Sequence, residues 1–359
     1  MTRHHRTIAA LAVVGALGAF GAAGAQAATK TITAGPPGKI SGLPEGTDLN
    51  AFFPNKLKVV QGDTVEIAFR GFHTATFPKG QAPSLFGVNG TVSGFNDAAG
   101  NPFWFNGQPR LTLDNTAAGP IGDGKIDGKA TDSSGIPQGE EAPPFKAKFT
   151  KTGSFKLVCL VHPDMKGRVT VLRKGRRGSS KQALKSAVAK QVARYVKTAN
   201  RLDAFEGPGG ANVKAGNDTK NVSLFKFFPR DVTIRAGESV TWRQTAGPNE
   251  IHTITFGPED YLKPIGEAFI APDLASPPDG PPTLVINPLI AYPSENPAGA
   301  AVYDGANHSN GFFNSGIIDD DSASPFGREF RATFSKPGTY GYICMVHGPD
   351  MSGKVTVTQ

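Results

Sequence analysis

One short phrase occurs twice in this chain and limits the fold more than any other feature. Cys159-Leu-Val-His162-Pro-Asp-Met165 and Cys344-Met-Val-His347-Gly-Pro-Asp-Met351 each gather a thiol, an imidazole and a thioether in one loop, directly after a strand-like run. Their tails match as well, Pro163-Asp164-Met165-Lys166-Gly167 against Pro349-Asp350-Met351-Ser352-Gly353, so the second loop is the first with Gly348 inserted. A repeated loop of three soft or borderline ligands marks a metal site. The rest of the chain then reads as the frame that brings each loop its missing partner.

The repetition extends to domain length. Phe52-Phe53-Pro54, Gly62, Val65 and His73 recur as Phe227-Phe228-Pro229, Gly237, Val240 and His252. The histidine follows the glycine by eleven residues in the first copy and fifteen in the second, which gives copy two a longer hairpin over Thr245 to Glu250. Each histidine opens the same phrase, His73-Thr-Ala-Thr-Phe77 and His252-Thr-Ile-Thr-Phe256. Further on, Phe149…Gly153-Ser-Phe155-Lys-Leu157-Val-Cys159 aligns without a gap on Phe334…Gly338-Thr-Tyr340-Gly-Tyr342-Ile-Cys344. The alternation at Phe155, Leu157 and Cys159, and at Tyr340, Tyr342 and Cys344, has the period of a half-buried strand. Short strands also fit Leu57–Val60, Thr64–Ala68, Arg168–Leu172, Val232–Ile234, Val240–Trp242 and Lys354–Val357. With 44 glycines and 29 prolines between them, such strands predict an all-β chain of two antiparallel Greek-key sandwiches.

Long inserts separate histidine from cysteine in each copy, about Pro78–Pro144 and Gly257–Gly327. Their shared landmark is read as Phe103-Trp104-Phe105-Asn106-Gly107 and Phe312-Phe313-Asn314-Ser315-Gly316. Between the copies, Leu184, Val188, Val192, Tyr195, Ala199 and Leu202 recur at helical steps, predicting an amphipathic helix over Ser179–Leu202. The segment from Arg173 to Arg201 holds ten Lys or Arg and no acidic residue, and so carries the basicity behind the net charge of +8. A solvated spacer packing one face on a domain is the plainer reading of it; a docking surface for an acidic partner or an anionic envelope polymer is the sharper one. One basic helix without interleaved aromatics argues against nucleic-acid binding.

At the N-terminus, Arg3 and Arg6 precede an apolar run from Ile8 to Phe20 and then Ala25-Gln26-Ala27, the pattern of a secretory signal peptide. The run is short for a bilayer span. The expected organisation is a signal peptide over 1–27, a first domain over 28–172, a basic helical linker over 173–210 and a second domain over 211–359. The mature chain would have no transmembrane segment and reach the periplasm or the extracellular envelope. There, thiols usually pair. A Cys159–Cys344 disulfide would join equivalent points of two repeats, an odd place for a staple, so a metal-held thiolate explains both better.

Eight of the ten thiol, imidazole and thioether residues of the mature chain fall on equivalent positions: His73, Cys159, His162 and Met165, and His252, Cys344, His347 and Met351. Met345 and His308 are left over, and His308 reads as a surface residue of the insert. Two imidazoles, one thiolate and a weak thioether suit copper, because sulfur favours the reduced ion and imidazole also accommodates the oxidised one. Zinc would leave the methionine without a job.

On these residues the chain resembles the cupredoxins, the blue copper family of plastocyanin, amicyanin and azurin. The likeness spans both halves but not the helix or most of each insert. It rests on Cys159-x-x-His162-x-x-Met165 and on the run from Phe313-Asn314-Ser315-Gly316 through Pro337-Gly338-Thr-Tyr340-Gly-Tyr342 to Cys344. It implies one copper ion on each four-residue set, two in all, with Met351 fitting less closely than Met165 because three residues separate it from His347. It also implies backbone donation from Thr74 and Thr253 to the thiolates, and surface positions for His162 and His347 inside apolar patches. Val161 and Val346 stand where many members have proline, which predicts an extra N–H···S bond. The implied function is an exported electron carrier working with redox partner proteins. Copper sequestration or delivery uses the same ligands. A two-domain copper oxidase or nitrite reductase needs several more histidines, and only His308 is spare; the chain is therefore expected not to be an enzyme.

Overall fold

Alternating burial builds the strands. In Lys56–Val60, Leu57 and Val59 turn inward between exposed Lys56 and Lys58, and in Asp231–Arg235 Val232 and Ile234 do the same. The computed structural model describes residues 29–137, 142–245, 247, 249–273, 283–322 and 324–359; the signal-peptide reading of 1–27 lies outside the described residues.

Each half is a two-sheet sandwich, and the two halves share one strand order. In the first half, one sheet runs Phe52–Phe53, Thr29–Ala34, Thr64–Phe69, Phe145–Phe149, Lys125–Ile126; the other runs Lys56–Val60, Lys166–Leu172, Gly153–Val158, Thr76–Phe77, Asp132–Ser133. The second half repeats this with Phe227–Phe228, Asn212–Ala215, Ser239–Arg243, Glu329–Phe334, Val302–Tyr303 facing Asp231–Arg235, Gly348–Thr358, Gly338–Cys344, Thr255–Phe256, Phe313–Asn314. The sheets are not wholly antiparallel. Thr29–Ala34 lies parallel to Thr64–Phe69, and Lys56–Val60 parallel to Lys166–Leu172, because the connecting chain crosses between sheets before returning. Phe52, Ile67, Phe149 and Leu157 fill the first core and Trp242, Phe256, Phe334 and Val355 the second. Each core also contains its half's cysteine and ligand-loop methionine.

The linker helix spans Lys181–Asp203, with Ser180 capping it through a bond from the Ala183 N–H. Its predicted stripe is the face that packs: Tyr195 and Ala199 bury against Leu49, Ala51 and Phe53 of the first half and Val222 of the second. Gln191 secures it by donating to the Phe52 carbonyl at 2.9 Å. The lysines and arginines of the helix face outward. No helix among the described residues is long and apolar enough to cross a membrane.

The landmark drawn between the inserts does not hold. Phe313–Asn314 pairs with Thr255–Phe256, but its counterpart in the first half is Asp132–Ser133, paired with Thr76–Phe77. Ser134 accepts from the Ala75 N–H at 2.9 Å, as Ser315 accepts from the Ile254 N–H at 2.8 Å. This bond, two residues past each histidine, is what the fold repeats. Phe103 and Phe105 instead join the second insert: Phe103 meets Phe312 edge-on at 6.0 Å, Phe105 stacks on Tyr292, and the Trp104 indole donates to the Pro293 carbonyl at 2.8 Å. Strands Phe86–Thr91 and Pro109–Leu113 from one insert and Ile270–Pro272 and Leu284–Ile286 from the other form a single four-stranded sheet. The inserts are a clasp between the halves.

His308 belongs to this clasp and is largely covered rather than free on the surface. Its ring lies 3.5 Å from Asp97 of the first insert and 3.2 Å from Glu295 of its own, and 4.7 Å from the Phe103 ring. Burial lowers its pKa, but Glu295 and Asp97 outweigh that and raise it above the ordinary value. A raised folded pKa means the contribution is complete below about pH 6.5, the unfolded value, and fades as pH climbs through the folded one. The stability gap between wild type and His308→Gln, measured by urea denaturation, is therefore expected to be at most about 1 kcal/mol at low pH and to close as pH rises. A gap that stays constant with pH would mean the imidazole charge contributes nothing.

Candidate metal centres

Each site is assembled from two distant pieces of sequence. Gly153–Val158 ends at Cys159, and the following loop turns back through His162 and Met165, whose N–H donates to the His162 carbonyl at 2.9 Å while the Cys159 N–H donates to the Met165 carbonyl at 3.1 Å. The second loop leaves Gly338–Cys344 with a register shift at Ile343/Cys344, and Gly348 takes a left-handed φ of 77° just past His347. The upstream histidines enter beside the short strands that the Ser134 and Ser315 hydroxyls anchor.

The structure brings His73, Cys159 and His162 together, and likewise His252, Cys344 and His347, with one donor atom of each within 4.8 Å of the others in its set. In the first cluster His73 Nδ1 and His162 Nδ1 are 3.1 Å apart, and Cys159 Sγ is 3.6 Å from His162 Nδ1. In the second, Cys344 Sγ lies 3.9 Å from His252 Nδ1 and 3.4 Å from His347 Nδ1. An ion with nitrogen at about 2.0 Å and sulfur at about 2.3 Å separates trigonal donors by roughly 3.5–3.7 Å, so both clusters have the spacing of a ligand set. Met165 and Met351 are fully buried in the cores that hold their cysteines. Both cysteines are free and buried.

The thiols are held as well as placed. Thr74 N–H donates to Cys159 Sγ at 3.3 Å and Thr253 N–H to Cys344 Sγ at 3.4 Å. The same threonines use their hydroxyls to accept from Leu160 N–H at 2.7 Å and Met345 N–H at 2.8 Å, tying each ligand loop to the histidine segment. The extra bond expected from Val161 and Val346 is absent among the described residues, where these side chains pack into apolar clusters instead. Burial raises each thiol, but its two imidazoles more than offset this and hold both cysteines well below the ordinary thiol range. In return, His162 and His347 are raised despite burial.

The expected surface positions of the loop histidines are not found. His162 is 5 % exposed, and the His347 side chain is 9 % exposed, with Phe225 stacked on its ring at 3.9 Å. Leu160 and Val161 pack into the clasp beside Leu85 and Leu113, and Met345 packs beside Phe312. The inserts of both halves contribute to this cover, Ile270 and Leu284 of the second beside Leu160 and Val161, and Phe103 and Phe105 of the first in the cluster that holds Met345. Sequence reasoning also missed Glu250, a buried carboxylate that reaches both histidines: 3.7 Å to His162 Nε2 and 3.3 Å to His347 Nε2. Burial would raise its pKa, but His347, His162 and Asn50 bring it down to about 2. Its signal was the lengthened segment before His252, which carries an acidic residue two positions before the histidine; this segment is a connection between two sheets and not the hairpin expected from the sequence.

Gly35 and Gly216 close the back of the two sites. Gly216 has a φ of 70°, and a Cβ there would lie 2.3 Å from His252 Nε2; at Gly35 it would lie 3.0 Å from His73 Nε2. Gly216→Ala is therefore expected to push His252 out of its cluster and to destabilise the fold by about 1 kcal/mol or more. Metal titration should then show the second cluster lost and the first retained, and unchanged binding at both would refute the steric account.

Residues 212–358 match the family model of copper binding proteins, plastocyanin/azurin family. No curated protein matches the chain. Similar solved structures include plastocyanin from Dryopteris crassirhizoma, at 22 % identity and TM-score 0.20 over 41 % of this chain and 99 % of that one. Auracyanin A from Chloroflexus aurantiacus is 23 % identical with TM-score 0.24, covering 41 % and 96 %. Amicyanin from Paracoccus versutus is 18 % identical with TM-score 0.22, covering 42 % and 83 %. The match to the copper-binding plastocyanin/azurin family thus lies in the second half, whose strand order and ligand pattern the first half repeats.

Proposed function

We propose that this chain is an exported electron carrier with one mononuclear copper centre in each half, and not an enzyme. The observation that carries the reading is the pair of buried histidine–cysteine–histidine clusters with matching donor spacing. His73, Cys159 and His162 would hold one ion and His252, Cys344 and His347 the other, with Met165 and Met351 as weak fourth ligands. A bound ion would supply one-electron chemistry. The chain's own part is to fix the donors before the metal arrives. Thr74 and Thr253 hold the sulfurs, the sheets hold the upstream histidines, and the buried cores leave little room to rearrange when the charge changes.

His308, the histidine left after the two clusters, is engaged with Asp97 and Glu295 rather than facing either site, which favours a carrier over an oxidase. The buried donor sets, each with a thiolate and a nearby thioether-bearing loop, would also serve a protein that stores or delivers copper, and exchange with small redox proteins separates the two roles. Export rests on the charged and apolar pattern at the N-terminus.

Visible absorption and EPR of the copper-loaded protein test the reading. An intense thiolate-to-copper band is expected, with Cys159→Ala and Cys344→Ala each losing about half of it. A wild type with no such band would exclude the carrier. Loss of the whole band in one variant and none in the other would leave a single centre.

A further inference from the structure

The two clusters, far apart in sequence, meet at one side chain. Glu250 is 6 % exposed. Its Oε1 faces His162 Nε2 and its Oε2 faces His347 Nε2, while the Nδ1 of each ring faces its own thiol. The residue is held from both halves, its carboxylate by the first and its backbone by the second. Asn50 Nδ2–H donates to Oε1 at 2.5 Å, and Gln244 donates to the Glu250 backbone carbonyl at 3.1 Å. Next to it, Asn249 Oδ1 accepts from the Asp164 N–H, inside the first ligand loop, at 3.0 Å. Asn249 and Glu250 lie in the connection from Ser239–Arg243 to Ile251–His252, which joins two different sheets and is longer than in the first copy, where Gly71 stands two residues before His73.

We propose that Glu250 is a shared positioning residue that sets the rings of His162 and His347 together and couples the two metal centres into one unit. The proposal rests on the copper reading above. A carboxylate that accepts from Nε2–H leaves the Nδ1 lone pair for a metal and fixes the ring plane. Here the carboxylate does this for His347, whose Nε2 lies 3.3 Å from Oε2, and faces His162 Nε2 at 3.7 Å, beyond hydrogen-bond reach, so that it acts on that ring through its charge. A single buried negative charge then serves both centres, favouring the more positive state of each. Charge gained at one centre makes the same gain harder at the other.

The test uses the full chain with one centre removed at a time. Reduction potentials are measured in Cys344→Ala, which keeps the first centre, and in Cys159→Ala, which keeps the second, each with and without Glu250→Gln. Removing the negative charge is expected to raise the potential in both backgrounds. Asp218→Asn, 3.9 Å from His252 Nε2, should raise it only where the second centre remains. A shift from Glu250→Gln in one background alone, or in neither, overturns the proposal. Glu250→Asp, which keeps the charge but shortens the reach, serves if the glutamine variant does not fold; it should loosen both rings. Imidazole nitrogen NMR of the metal-free protein supplies an arm independent of copper. Both His162 and His347 Nε2 resonances should move in the Glu250 variants, and unmoved resonances count against the shared role. Absence of the blue band would defeat the copper reading while leaving this arm able to decide what Glu250 does.

Discussion

A sulfur and two imidazole nitrogens packed within a few ångströms of each other, away from water, do not assemble on their own. Each group loses hydration, and the ring nitrogens facing one another compete for protons rather than attracting. The frame must impose the arrangement. Here it does so with a bond that appears twice, from the threonine after the upstream histidine to the cysteine sulfur. The threonine hydroxyl then grips the residue after the cysteine, so the loop bearing the second histidine cannot drift from the strand edge bearing the first. One residue thereby satisfies the thiolate and fixes the loop. Below it, a serine hydroxyl anchors the next turn of the same segment.

Much of this was legible in the sequence because it is written in local pattern. Leu57 and Val59 alternate with lysines, and the Leu184-to-Leu202 stripe runs at helical steps; both became the elements their periodicity predicts. All six candidate histidine and cysteine donors follow from equivalence between the copies, and the structure gathers them into two clusters. Misreadings arose where a contact joins the two halves, which periodicity does not encode. Phe103–Gly107 resembled Phe312–Gly316 in composition, yet the position equivalent to Ser315 is Ser134, set by a hydrogen bond and not by aromatic character. The exposed placement of His162 and His347 follows for a single domain; in this chain Glu250 of the other half faces His162, and Phe225 stacks on His347. Glu250 was visible only as a length difference between the segments that precede the two upstream histidines.

Those misreadings share a cause. Once two copies sit in one chain, surfaces that a lone domain shows to solvent become the seam, and residues there are selected for partners that the repeat pattern cannot reveal. The inserts follow the same logic. Their strands complete one common sheet, and Arg110 of the first reaches Asp273 of the second at 2.9 Å. Their length, which the repeat pattern leaves unexplained, supplies contacts that join the copies.

The seam also shows why the halves are not interchangeable. Glu250 comes from the second half, but its hydrogen-bond donor Asn50 and one of its two imidazoles come from the first. A buried carboxylate stripped of its partners costs several kcal/mol, far more than an exposed one. Separated, the second half would have to solvate or protonate that group, and the first would show His162 to water with nothing to orient its outer nitrogen. Duplication alone would have given two equivalent, independent sites. The longer connection before His252 breaks the equivalence and makes the completed surroundings of each donor cluster depend on the presence of the other half.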